Sequence, residues 1–147
     1  MTANHLREIE QYLHEQIPLS RAMGTRVESW DEEQFIVTAP LEPNHNHLGT
    51  AFGGSLAAIA TLAGYGLLWL ALGDRKAHIV IRSSTMNYRR PVRRGIRAIC
   101  RRPEGSAMAD FELKFEQAGK ARIDLAVTIE EDDTECVRFE GVFVAIR

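Results

Sequence analysis

Cysteine is scarce in this 147-residue chain, and its two copies, Cys100 and Cys136, stand far apart in no CxxC pair. That spacing argues against a disulfide framework or a cysteine-based metal site. Each lies in a strand-like run where a small apolar residue would serve, so both are expected as buried thiols. An excess of charge is missing too. The formal net charge is −2, with both signs mixed along the chain, which speaks against disorder and against a surface that seeks nucleic acid. The first residues, MTANHLREIEQYLHEQI, carry scattered charges and no apolar run. No signal-peptide core can be drawn there, and a cytoplasmic protein is expected. Repeats, linkers and low-complexity tracts are also lacking, and the length suits a single domain over residues 1–147.

The most informative absence is local. GTAFGGSLAAIATLAGYGLLWLALG, residues 49–73, holds no charged side chain in a chain that is 26% charged. The seventeen residues from Leu56 to Leu72 only just reach the lower bound for crossing a bilayer, about 17 residues. The segment is rich in Ala and Gly, and the strands after it alternate as water-facing sheets do, so it is not read as a membrane span. A helix that is apolar all round must then be buried all round. Residues 53–72 are expected to form a long central helix, wrapped by antiparallel strands that each turn one dry face inward.

The remaining pattern supplies those strands. Leu6, Ile9, Leu13 and Ile17 recur at helical spacing over residues 1–17, with Asn4 as N-cap and Pro18 as the stop. Thr25 to Trp30 and Gln34 to Ala39 read as a hairpin turning at Asp31-Glu32. PLEPNHNHL, residues 40–48, reads as a loop. His78 to Tyr88 and Ile96 to Arg102 are strand-like. Asp110 to Glu116 and Arg122 to Glu130 alternate polar with apolar and are expected to pair as a long hairpin across Gly119-Lys120. Cys136 to Ile146 closes the sheet, with Gly141 as a bulge.

Two motifs make the pattern specific. Asn46-His47-Leu48-Gly49-Thr50-Ala51-Phe52-Gly53-Gly54 leads into the uncharged helix, and Met86-Asn87-Tyr88-Arg89-Arg90-Pro91-Val92 ends a strand on an aromatic, two basic residues and a proline. Both resemble the acyl thioesterases of the hotdog fold. GTAFGGSLAAIATLAGYGLL is most similar to the YiiD carboxy-terminal-domain type, from about residue 15 onward. The fold class implied is α+β, a long central helix wrapped by a curved antiparallel β-sheet. The implied substrate is an acyl thioester of coenzyme A or an acyl carrier protein, with no cofactor beyond the substrate's own coenzyme A or phosphopantetheine. A homodimer or dimer of dimers, with sites between protomers, is also implied.

Chemistry of this kind needs a polarised carbonyl and an aimed water. The first N–H groups of a buried helix lack intrahelical partners and carry the positive end of its dipole, which makes Gly53 and Gly54 candidates for oxyanion contact. Paired glycines also let a helix start pass close under a sheet. Related enzymes place a carboxylate on the second or third turn, where this chain has Thr61, and many have His where Phe52 stands. No carboxylate occurs between Glu42 and Asp74. Thr61 is a poor base at neutral pH and would hold a water rather than deprotonate it, or else bond the preceding turn. Asn46 matches the resembling proteins' asparagine and either positions water or shapes the loop. His45 or His47 could act as base; their HxH spacing lacks a third metal ligand, and no metal is expected. Catalytic candidates are therefore Asn46, Gly54 and Thr61. Substrate-binding candidates are Asn44, His47, Phe52, Gly53, Ser55, Asn87, Arg89 and Arg90, the last two for phosphate. Eight arginines crowd residues 82–102, but with Tyr88 the sole aromatic among them a nucleic-acid patch is not expected. Most of them are read as pairing with acidic neighbours on the wet face. The missing carboxylate also leaves open a non-catalytic acyl-thioester or lipid binder.

Overall fold

The computed structural model describes residues 2–73 and 77–147; Met1, the first residue of the expected opening helix, lies outside them. That helix, α1, spans Ala3–Gln16 and buries Ile9 and Leu13. Its N-cap is Thr2, not Asn4: the Thr2 hydroxyl accepts from the His5 N–H at 3.3 Å, satisfying one of the first-turn amides. Pro18 does end α1, and it also opens a short helix, α2, Pro18–Ala22. Proline's missing N–H costs nothing at a first helical position.

The hairpin follows as β1, Arg26–Trp30, and β2, Gln34–Ala39. Asp31 holds its turn, one carboxylate oxygen accepting from the N–H groups of Glu33 and Gln34 at 2.7 and 2.9 Å. The uncharged segment is α3, Gly53–Leu72. After it come β3, His78–Tyr88, β4, Ile96–Arg101, a further helix α4, Ala107–Ala118, and then β5, Lys120–Glu131, and β6, Thr134–Ile146. The six strands form one antiparallel sheet in the order β1-β2-β4-β5-β6-β3. Packed against β2, β3, β4, β5 and β6, α3 is cradled by a curved sheet, which is the hotdog architecture.

By length and composition α3 could cross a bilayer, with 20 residues and a mean hydropathy of 1.8. Here the sheet covers it instead. Ile59, Ala60, Ala63 and Leu68 are wholly buried. Its small residues differ in surroundings. At Gly64 an added β-carbon would lie 2.5 Å from the Phe143 ring, and at Gly66 it would collide with Phe35, so these glycines let buried aromatic rings approach the helix closely. Ala57 and Ala58, by contrast, stay partly exposed.

The expected hairpin of residues 110–116 with 122–130 is corrected: the first half is α4. Phe111, Leu113 and Phe115 alternate, but Phe111 and Phe115 are also one helical turn apart, and Met108 extends that face. Met108, Phe111 and Phe115 are buried, whereas Leu113 is 53% exposed. Gly119, at φ 72°, stops the helix in the left-handed region. The long hairpin is instead β5 with β6, closing through Asp132-Asp133 at φ 52° and 59°, the conformation of a two-residue hairpin turn. Only three residue pairs join β4 to β5, and α4 packs on β5 beyond them. Gly141 is not a bulge. Register runs through it unbroken, and the shifts lie between Ile81 and Ser83 and between Ile129 and Glu130. An added β-carbon at Gly141 would meet Phe139 at 2.6 Å, so packing explains the glycine.

If residues 107–118 form a helix with one dry stripe, Phe111→Ala should destabilise by about 3–5 kcal/mol. Leu113→Ala should fall within about 0.5 kcal/mol of the parent. Urea unfolding monitored by circular dichroism separates this from a strand, in which both would cost alike.

Candidate functional site

The loop before α3 is built by its asparagines. Asn44 is buried, and its side-chain N–H₂ donates to the carbonyls of Met23 and Pro40 at 2.8 and 2.9 Å. Its own carbonyl accepts from the Phe52 N–H at 2.7 Å, so Asn44 anchors the loop rather than lining an open site. Asn46 folds the loop onto itself. Its carbonyl oxygen accepts from the N–H groups of Leu48 and Thr50, and its amide donates to the Thr50 hydroxyl at 2.9 Å. This is the Asx-type geometry. His45 and His47 are both exposed, and a ring nitrogen of His45 lies 3.0 Å from the Asn46 carbonyl. Among the described residues no three His, Cys, Asp or Glu side chains gather as a metal site.

The start of α3 is left bare. Phe52 occupies the N-cap with φ −69° and ψ 135°, no side chain among the described residues caps the helix, and no acid lies in the first turn. Amides at such an end point outward with the positive end of the dipole. Two aromatic rings frame them. The Tyr88 ring would lie 3.7 Å from a β-carbon at Gly53, and its hydroxyl donates to the Gly53 carbonyl at 3.3 Å. The Phe52 ring folds back over Gly54, where a β-carbon would collide with it. Both rings are more than half exposed, and Ser55 beside them is half-buried. Tyr88 stands in the strand-end motif, but the sequence points to its neighbours Asn87, Arg89 and Arg90, because a ring contact across 35 residues has no local signature.

Strand alternation places Asn87 on the face opposite Tyr88. Asn87 is exposed there, paired in register with Arg138, and so points away from the start of α3. The two motif arginines differ. Arg89 is held by Glu135 at 3.0 Å, whereas Arg90 has no carboxylate partner among the described residues. Of the other arginines, Arg94 pairs with Asp132, Arg97 with Glu28 and Arg101 with Glu130, at 2.7–3.1 Å. The Thr128 hydroxyl foremost, and Arg101 with it, hold Glu130 below the usual carboxylate range. With Arg89, these pairs engage four of the eight clustered arginines.

Thr61 is half-buried, and its hydroxyl donates to the Ala57 carbonyl at 2.8 Å. Its proton is spent, while its oxygen can still accept. Seven residues separate Gly54 from Thr61, so they share one face of α3 about 10 Å apart along the axis. Within one protomer they cannot both touch one carbonyl group. A groove of about 620 Å³ opens at Thr61, lined also by Ala58, Leu62, Tyr65 and Ile81.

Comparison with known proteins gives this geometry a family. The model described as "Putative thioesterase (yiiD_Cterm)" matches residues 6–147. A crystal structure of a protein of unknown function from Chlorobaculum tepidum is similar at 36% identity and TM-score 0.87, over 96% of this chain and 93% of that one. A "putative thioesterase" from Shewanella oneidensis is similar at 30% identity and TM-score 0.87, over 99% and 100% of the two chains. A thioesterase from Haemophilus influenzae shares the fold at 18% identity and TM-score 0.76, over 97% and 90%.

Neither cysteine serves the site. Both are buried and unpaired; burial pushes the Cys100 thiol up to about 12 and raises that of Cys136 as well. A protonated, covered thiol is inert. Ellman's reagent at pH 8 should therefore find almost no reactive thiol in the native protein and both after denaturation. A rapidly reacting native thiol would contradict this burial.

Proposed function

The chain belongs to the family described as "putative thioesterase (yiiD_Cterm)", and on that premise we propose that it hydrolyses acyl thioesters of coenzyme A or of an acyl carrier protein. The observation that carries this reading is the uncapped start of α3. Backbone N–H groups at Gly53 and Gly54 donate to the thioester oxygen as negative charge develops on it, and a fixed dipole stabilises that charge without reorganising. Water adds to the carbonyl carbon, the C–S bond breaks, and the departing thiolate takes up the proton that the water loses. Thr61 holds the water as a hydrogen-bond acceptor, which is the one role its committed proton leaves open.

Since Gly54 and Thr61 lie two turns apart on one helix, the reading requires two copies, the helix start of one facing Thr61 of the other. β3 supports this: it is an edge strand of 11 residues with Val80 51% and Ile81 37% exposed. A long unpaired edge favours strand-to-strand association. Arg90, without a carboxylate partner among the described residues and two residues from Tyr88, meets the phosphate that coenzyme A and phosphopantetheine share.

A second reading, a binder that keeps the fold without turnover, draws on the absence of any carboxylate from Pro43 to Gly73. Following free thiol while purified protein meets short, medium and long acyl-CoAs and acyl-carrier thioesters separates the two. Thiol release is expected, with kcat lowered about tenfold by Thr61→Val, the worth of about one hydrogen bond. Arg90→Ala should raise KM severalfold at unchanged kcat. Turnover indifferent to Thr61→Val and Gly54→Ala would remove this site assignment, and tight binding without thiol release would favour the binder.

A further inference from the structure

One cleft differs in kind from the others. The groove beside Thr61 lies among α3, the Gln16–Met23 segment and β3, and none of its lining residues carries a charge. The four other principal clefts each include carboxylates. Its volume of about 620 Å³ is that of a small-molecule site. Two of its hydroxyls are already committed, that of Ser20 to the Leu13 carbonyl and that of Thr61 to the Ala57 carbonyl, and the Gln16 amide and the Tyr65 phenol are its other polar side-chain groups. This uncharged, largely apolar lining suits an occupant made mostly of methylenes.

Along α3 the lining of the groove runs from Ala58 to Tyr65. Tyr65 follows Thr61 by one helical turn and lies on the same face of α3. A turn further on, Leu68 and Trp69 are buried, so the partly open stripe of the helix stops at Tyr65. Burial, with the nearby Tyr12 adding to it, pushes the Tyr65 phenol above its ordinary value, in keeping with an apolar wall.

We infer that this groove takes the acyl chain of the substrate, entering beside Thr61, and that the Tyr65 ring is the end stop that sets the longest chain admitted. The inference rests on the hydrolase reading only in placing the thioester next to Thr61. A test that does not need turnover is titration calorimetry with S-alkyl pantetheine thioethers, from butyl to hexadecyl, on the parent, Tyr65→Ala, Tyr65→Phe and Ala58→Leu. Affinity should rise about fourfold per methylene while the chain gains buried surface, then stop rising at a definite length. Tyr65→Ala should move that break about four carbons longer, since an extended chain advances roughly 1.2 Å per bond and the ring is several bonds long. Tyr65→Phe should leave it in place.

A break unmoved in folded Tyr65→Ala would overturn the proposal. Affinities that ignore chain length in the parent would do the same, and would leave the groove to side chains of a second copy. If Tyr65→Ala does not fold, Ala58→Leu decides: it should cost long chains at least about tenfold and spare butyl, and equal affinities across the series would sink the groove. Thiol release from the matching thioesters keeps the two readings apart. A length break without release rejects the hydrolase and supports the groove, whereas release without a break does the reverse.

Discussion

Covering α3 is the constraint on which the rest of the molecule depends. Twenty residues without a charge must lose their contact with water on nearly every side, and at about 25 cal/mol per Å² of apolar surface no local interaction competes with that demand. The sheet meets it with long strands. β5 and β6, of 12 and 13 residues, turn Ala121, Ile123, Leu125, Val127, Phe139 and Phe143 inward. The helix answers with glycines where Phe35 and Phe143 press closest. Where β4 parts from β5, the dry face of α4 takes over with Met108, Phe111 and Phe115.

The same burial shapes the site. A helix enclosed by a sheet cannot carry a carboxylate into the core without a heavy desolvation cost, and this one carries none. What it offers is its backbone: an uncapped start framed by Phe52 and Tyr88, and a groove where its covering is incomplete. Loop side chains that might have acted there are engaged in holding it in place, Asn44 through two carbonyls and Asn46 within its own turn. The chemistry open to such a place is electrostatic positioning more than proton transfer.

Charge is kept to the outer surface. Arg94, Arg97 and Arg101 are matched one to one with Asp132, Glu28 and Glu130. Exposed pairs of this kind contribute about 0–1 kcal/mol each. Glu131 adds a structural part, accepting from the backbone N–H groups of Arg93 and Arg94. That ties the loop after β3 to the β5–β6 turn. Arg90, two residues beyond the end of the strand that touches α3, has no carboxylate partner among the described residues.

Much of the fold was legible in the chain alone, because its signals are local. An uncharged run of that length admits only burial, and β-branched alternation marked β1, β2, β3 and most of β5 and β6 near their observed bounds. The missing carboxylate was equally plain, since absence from a segment needs no structure to establish. Residues 110–116 could not be decided locally: apolar residues at i, i+2 and i+4 satisfy a strand and, in part, a helix, and what settles the matter is whether Met108 and Leu113 find the core. Tertiary structure alone decided which of the clustered arginines meet a carboxylate, that Asn87 faces away from the site, and that Tyr88 bonds Gly53 across 35 residues. The reason is common to all three. Sequence periodicity says which face of an element is dry, but the partner on that face is chosen by strand order and register, which no single segment contains.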